Sequence, residues 1–546
     1  MERRTTNGRL TTVNTDAPSS ADLDWGNFTA SGPWTLQRDD IAWLRSARVL
    51  RDQARAEVPS LIRSRRLPPV GRLVAVVWRF AVALAPWWLR KRRRKFDGPE
   101  ASRAYLSLRL RVAIERLGAT YIKLAQIISS GEGLFPAELV DEFKRCRDQV
   151  PPEKWETVRH TVEQDLGTRL DDMFSSFDQT CLAAASIAQV HRATLRTGED
   201  VVVKVQRSAV SQLVRKDLEV MAWLAPFLIG RIQVAALANP PALVELFAET
   251  IVEELDFRME AANMIDVASM LHDLNQDAYL VPRPHAKLVT RRVLVMERLA
   301  GFKFDDVEGM RGAGIDTEQI IRTGMISFME GALIHGIFHG DLHAGNLFVL
   351  PDGRTALLDF GIVGRLTDQR RMAFMRLMLG ATTNDLRGQV AALRDLGALP
   401  RDTNIDEVIV DLKLDQPTID PTTLSGEELV HEVQRIVKSL LAYGAKLPKE
   451  LMLYVKNMVF IDGAIARLAP DLDLLAELTN ISIMFTQRHG LRLAQELGVD
   501  ASQIEINMDS VKAGLGVDAS TDSLTYRELQ KRRELIQKRM QDHVRR

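Results

Sequence analysis

The rhythm of apolar and polar positions changes several times along this chain, and each change predicts a different kind of element. Residues 73–89 (LVAVVWRFAVALAPWWL) are apolar apart from Arg79, and a basic run at 90–95 (RKRRRK) follows directly. Leu110, Ala113, Ile114, Leu117, Tyr121, Leu124 and Ile128 then recur at helical spacing and predict one amphipathic helix. Lys123 and Gln126, three apart, occupy neighbouring positions on that helix. Gly131, Gly133 and Pro136 end it, and a second helix is predicted from Ala137 to Arg147, ahead of Pro151 and Pro152. From about Asp165 the period shortens. Residues 182–193 and 201–207 (VVVKVQR) read as two strands of a hairpin joined through Thr197–Asp200, the second presenting Lys204.

The helical period returns at 245–264, a stretch rich in acids, and again in the apolar 316–336 segment. Between them, 291–297 (RRVLVME) reads as a strand. Two further apolar runs flank a Pro351-Asp352-Gly353 turn, and beyond Gly361 the chain is helical, including 447–470 and a basic terminal helix. The pattern predicts an α+β protein with its strands confined to the middle. The boundaries divide the chain into a variable, disordered N-terminal region (1–70), an interfacial helix with its basic cluster (71–96) and a helical extension (97–164). A strand-containing lobe (165–300), a largely helical lobe (301–500) and a basic helical tail (501–546) follow.

The chemistry concentrates in residues 339–361, HGDLHAGNLFVLPDGRTALLDFG. Phosphoryl transfer needs a carboxylate near the attacking hydroxyl and oxygen ligands for the magnesium that neutralises phosphate. Asp341, Asn346 five residues later, and Asp359 at the far end of the hairpin meet these demands in order. His339 orients the loop in this reading. Lys204 follows Val190 by 14 residues, the span of a strand, a turn and a strand, and is the candidate phosphate ligand. The preceding loop, Ala183, Ala184, Ala185 and Ser186, carries alanine where a phosphate-cradling loop has glycine, so nucleotide is expected to sit differently. Glu254 is the expected partner of Lys204, with Asp256 and Glu260 as supporting acids or metal ligands. Met296, near the end of the 291–297 strand, is read either as a gatekeeper-like position or, more conservatively, as a core methionine, and Gly301 is a hinge candidate. No Ala-Pro-Glu follows Gly361, so a peptide substrate finds no evident platform.

The charge over 546 residues sums to zero and the isoelectric point is near 7.2, so no global field favours nucleic acid. Two cysteines, Cys146 and Cys181, make no disulfide framework and suit a reducing, cytosol-facing compartment. The N-terminal stretch is polar and has no secretory core. Residues 73–89 are short for a spanning helix and carry a central arginine. An interfacial helix fits better, with Trp78, Trp87 and Trp88 at headgroup depth and the basic cluster on anionic lipid at about 1 kcal/mol per charge. A buried helix followed by a solvated basic loop is the structural alternative.

Over about residues 100–475 the chain resembles the UbiB-type atypical kinases, the AarF/ADCK family. Four features carry the resemblance in order. They are Lys123-Leu124-Ala125-Gln126 for the KxGQ motif, the Ala-rich loop, Glu254-Leu255-Asp256 for ExD, and the HGDLHxGN/LDFG pair. The resemblance implies a bilobal kinase-like fold with the KxGQ helix folded over the active site as a lid. It implies binding of ATP or ADP with Mg2+, ATP hydrolysis, poor protein-kinase activity in trans, and support of isoprenoid-quinone or lipid metabolism at the cytoplasmic face of a membrane. Quinone- or lipid-biosynthesis enzymes are then the expected partners. Ala125 and Ser208 depart from the usual Gly and Pro. A small-molecule phosphotransferase and a nucleotide-sensing scaffold are the competing readings.

Overall fold

The computed structural model describes residues 41–63, 67–129, 136–146, 151–228, 240–383, 385–413, 448–498 and 520–544, with a few isolated positions between them. The polar tail expected over residues 1–40, the break at Gly131 and Gly133, and most of 499–519 lie outside the described residues.

The strands are β1 (Phe174–Ala184), β2 (Ala188–Leu195), β3 (Asp200–Gln206), β4 (Tyr279–Leu280), β5 (Pro284–Val289) and β6 (Val293–Glu297). They continue with β7 (Phe302–Lys303), β8 (Ile337–His339), β9 (Leu347–Val349), β10 (Thr355–Leu357) and β11 (Val363–Arg365). Five form an antiparallel sheet in the order β1-β2-β3-β6-β5. Its register sets Lys204 opposite Val190 on one side and Leu294 on the other. Alternation along β3 then separates two tasks. Val201, Val203 and Val205 are buried against Val158 and Val162 of helix Trp155–Leu166, while Val202 and Lys204 line a cleft on the other face. A second sheet, β4-β10-β9-β7, and the β8–β11 pair carry the loop region below.

Around these strands the protein is helical, and three helical boundaries differ from the sequence expectation. The stripe from Leu110 to Ile128 is not one helix but two, Pro99–Leu117 and Ala119–Ser129, divided at Gly118. Gly118 closes the first by donating its N–H to Ile114 O at 3.2 Å, with φ at +101°. The helical stretch around 245–264 likewise divides into Pro240–Glu254 and Phe257–Asp273. The Asp256 carboxylate caps the second by accepting from the Arg258 N–H at 3.1 Å. The third difference falls in the region expected to be disordered. Residues Ala42–Leu61 form a helix that enters the main core through buried Ile41, Trp43 and Ala47, with Trp43 Nε1 donating to Ala286 O at 3.0 Å.

The apolar 73–89 segment lies in helix Val70–Arg92, long and apolar enough by length and composition to cross a membrane. Only Val76 and Ala83 are buried, whereas Trp78 and Trp88 are 68% and 52% exposed, so the helix is not a core element. Trp87 is held differently, donating from Nε1 to Ser102 O at 3.2 Å.

Gly118 combines φ +101° with ψ −164°, a region of the backbone essentially reserved for glycine. Nothing stands within 4 Å of where a Cβ would be, so a substitution there meets backbone strain alone. Gly118→Ala is expected to lower the unfolding free energy by about 1–3 kcal/mol in urea titration. An unchanged midpoint would mean that the two helices readily fuse.

Candidate active site

Backbone geometry holds the loop after β8. His339 Nε2 faces two carbonyls, Leu358 O at 3.1 Å and Asp359 O at 3.0 Å, and so carries the ring proton. Nδ1 then accepts from the Asp341 N–H at 3.1 Å. Burial lowers the His339 pKa, and a neutral ring is what both bonds require. His339 thus ties the Asp341 turn to the Asp359 turn. Asn346 Nδ2 donates to Asp341 O at 2.9 Å, which leaves its amide oxygen as the acceptor at the cleft. Gly340 allows the two turns to close. Its N–H donates to Ile362 O at 2.9 Å, and a Cβ there would meet Ile362 Cγ2 at 2.7 Å. Asp359 itself has φ +54°, an uncommon conformation for a residue with a side chain, and its Oδ1 accepts from the Gly361 N–H at 3.2 Å.

Asn457, which sequence reasoning did not single out, fixes the loop from a distance. It is fully buried on helix Lys449–Leu468, accepts from the Leu342 N–H at 3.1 Å and donates to His339 O. A buried amide satisfied on both sides is a specific clamp. Its one signal in the sequence is a polar residue inside the apolar 447–470 pattern.

Three lysines and four carboxylates meet at this loop. Lys204 Nζ lies 2.7 Å from Glu260 Oε1 and 3.2 Å from Asp359 Oδ1. Lys123 Nζ lies 3.0 Å from Glu254 Oε1 and 3.8 Å from Asp341 Oδ2. Lys456, also absent from the sequence expectation, pairs with Asp341 Oδ1. The expected partnership is therefore exchanged. Glu254, assigned to Lys204 by spacing, meets Lys123 instead, and Glu260 holds Lys204. The break at Leu255 and Asp256 is the physical reason, because the two glutamates stand on different helices with different directions. Asp256 is not a site acid at all. It caps its helix and pairs with Arg258 at 2.6 Å.

Burial raises carboxylate pKa values and lowers those of lysines, and the pairing overrides it where charges are close. Asp341 is pushed far below the usual range because Lys456 and Lys123 outweigh its burial. Asp359, with Lys204 and then Lys123 opposing burial, is held at about 2. Lys123 and Lys204 are both raised despite burial, the first chiefly by Glu254 and the second chiefly by Asp359. Glu260 moves the other way, to about 7, because burial, aided by the nearby Asp359, outweighs Lys204.

Lys123, Gln126, Ala183, Ala185, Val190, Lys204, Met296, Gly301, Asp341, Asn346 and Asp359 line one cleft of about 830 Å³, together with Val202 and Phe348. Ala184 and Ser186 are not among the lining residues. Ala184 pairs with Gln189 across the β1–β2 hairpin, and Ser186 is buried in the turn. Ala185 uses its own N–H within that turn, donating to Ala188 O at 2.8 Å. That N–H is thereby used inside the turn rather than offered to a ligand.

A strand lysine held by a helix glutamate, facing an Asp–Asn loop and an Asp-Phe-Gly turn, defines a kinase-like site in a mixed α/β domain. A family model described as the ABC1 atypical kinase-like domain matches residues 145–393. An uncharacterised protein of Mycobacterium tuberculosis is 36% identical over 362 residues, covering 65% of this chain and 73% of that protein. An uncharacterised aarF domain-containing protein kinase of Arabidopsis thaliana, named as chloroplastic, is 33% identical over 70% of this chain and 75% of its own length. A probable protein kinase UbiB of Marinobacter nauticus is 32% identical over 72% of this chain and 70% of its own. The chain belongs to the UbiB/AarF family of atypical kinase-like proteins.

The Lys204–Glu260 pair gives a stability test. Removing one partner of a buried pair leaves an uncompensated charge, so Lys204→Met is expected to cost about 3–5 kcal/mol. Glu260 has its folded pKa raised to about 7 from 4.5. Its contribution to stability is therefore fully present below about pH 4.5 and is lost as pH rises through about 7. Without Lys204 this loss deepens, so the urea midpoint of Lys204→Met should drop further between pH 5.5 and pH 8.5 than that of the wild type. Adding Glu260→Gln should remove the excess pH dependence. A double variant as pH-sensitive as the single one would reject the pairing.

Proposed function

We propose that this protein is a Mg-ATP-dependent atypical kinase or ATPase, working at the cytoplasmic face of a membrane in support of isoprenoid-quinone or lipid metabolism. The observation that carries the reading is the single cleft onto which Lys204, Asp341, Asn346 and Asp359 all open. The amide oxygen of Asn346 and the half-exposed carboxylate of Asp359 are hard oxygen donors of the kind magnesium takes. Bound there with nucleotide, the metal would neutralise phosphate charge. The roles of the chain's own residues follow from their placement. Lys204 grips the phosphates and Glu260 holds it in position. Asp341 orients the acceptor hydroxyl or water and takes its proton. Val190, Val202, Met296 and Phe348 supply apolar surface on which the base can rest.

Helix Ala119–Ser129 acts as the lid. Lys123 joins Glu254 and Asp341 across the acceptor side, and Gln126 lines the cleft beside it. Such a lid excludes a bulky protein substrate and would leave kinase activity in trans poor. Exposed Trp78 and Trp88 with the basic 90–95 run support attachment of helix Val70–Arg92 to anionic lipid, where membrane-bound biosynthetic enzymes would be the partners. No nucleic-acid role is proposed.

One observation favours a second reading. Both oxygens of Asp341 have a lysine near them, and a carboxylate so neutralised is a poor base. A nucleotide-switched scaffold for membrane enzymes would show this arrangement in its resting state.

Magnesium-dependent ATP hydrolysis, measured with and without anionic liposomes, separates the two. Turnover should rise with liposomes and fall by about 10²-fold or more in Asp359→Asn. Tight nucleotide binding without turnover in the wild type would favour the scaffold. Unchanged nucleotide affinity and turnover in Asp359→Asn would sink both.

A further inference from the structure

Three of the lysines that line the cleft pair with the carboxylates described above, and they are not equivalent. Lys204 pairs with buried Glu260 and Lys123 with half-buried Glu254, both borne on helices. Lys456 is different. It reaches in from helix Lys449–Leu468, retains partial exposure (21%), lines the cleft, and pairs with Asp341 Oδ1. Asn457, the next residue, is locked to both sides of the loop by His339 O and Leu342 N. The backbone at 456 is therefore fixed relative to the loop, while its four-carbon stem remains a mobile arm.

We infer that Lys456 is the cation that meets the γ-phosphoryl group of the nucleotide, leaving Asp341 as it does so. The assignment rests on the Mg-ATP reading above and adds a substrate-contacting residue to it. A phosphoryl group offers three oxygens and more negative charge than one carboxylate, so a lysine whose one ion pair among the described residues is with Asp341 shifts towards it. The shift has a second effect. It releases Asp341 Oδ1, which the lysine otherwise neutralises, at the moment an acceptor proton needs a base. In the transfer the γ-phosphorus bond to the bridging oxygen breaks, and its electron pair leaves with ADP. The acceptor oxygen bonds to phosphorus, and the acceptor proton passes to the Asp341 carboxylate. Lys456 keeps all of its protons throughout. One side chain thus meets the γ-phosphate and uncovers Asp341 Oδ1 in the same movement.

The test compares two nucleotides that differ at the γ-phosphate. Affinities of Mg-ADP and of the magnesium complex of the β,γ-imido analogue of ATP are measured by calorimetry on the full chain, for wild type, Lys456→Met and Lys456→Arg. Lys456→Met should lose about tenfold or more in affinity for the imido analogue, with Mg-ADP affinity unchanged. Lys456→Arg should recover most of that loss. Retained Mg-ADP binding also reports that the variant is folded. A merely structural lysine would change both affinities together or neither, and either result would overturn the assignment while leaving the Mg-ATP reading intact. A wild type that binds neither nucleotide would overturn that reading, and the assignment with it.

Discussion

Two carboxylates that line one cleft, Asp341 and Asp359, and two set behind it, Glu254 and Glu260, cannot all be ionised unless cations stand among them, and the rest of this fold is arranged to bring those cations in. Isolated burial of a single carboxylate costs several kcal/mol, and adjacent like charges add to it. Lys204 arrives on β3, Lys123 on the short helix after Gly118, and Lys456 on a helix more than a hundred residues beyond the loop. None of the three is close to another in sequence. The cluster therefore exists only when the sheet, the N-terminal helices and the C-terminal helices are all in place. Removing any one element leaves unpaired carboxylates behind, so the site and the global fold are energetically coupled.

A second layer of contacts ties the Asp-Phe-Gly turn to the N-terminal helix. Asn263 Nδ2 donates to Phe360 O at 2.8 Å, and Phe360 is buried. Arg51 of helix Ala42–Leu61 and Arg365 both donate to Asn263 Oδ1, at 2.8 and 2.7 Å. Arg55 and Lys449 meet Glu253, the neighbour of Glu254, at 3.1 and 3.3 Å. Helix Ala42–Leu61 is thus a strut behind the site, although its sequence reads as part of a variable tail.

Helix Val70–Arg92 connects to the site by another route. Arg72 pairs with the fully buried Asp217 at 2.6 Å and donates to Leu117 O at 3.1 Å, one residue before the Gly118 break. The same arginine thus holds the start of the exposed apolar helix and the base of the Lys123 helix. Asp217 stays buried because Arg72 opposes the burial that raises its pKa. The exposed tryptophans and the Lys123 helix are therefore parts of one packed unit.

Asp341, Asn346, Asp359 and Lys204 were legible in the sequence because loop–strand chemistry fixes their spacing locally, and the β-hairpin register follows from alternation. The apolar stripe of 110–128 revealed a helical face but concealed its division, since the break is a backbone conformation of Gly118 and leaves the period of apolar residues intact. Partner choice was not legible. Glu254 and Glu260 are both acids on helical segments, and only the direction each helix takes after Asp256 decides which lysine it meets. Lys456 and Asn457 gave still less, because their partners lie 115 and 118 residues away and their one local mark is polarity inside an apolar helical pattern. The sequence by itself determined which residues can do phosphoryl chemistry and the local turns that present them. The tertiary structure alone decided how their charges are paired, because Coulombic pairing depends on distance in space, and distance between remote segments is set by packing.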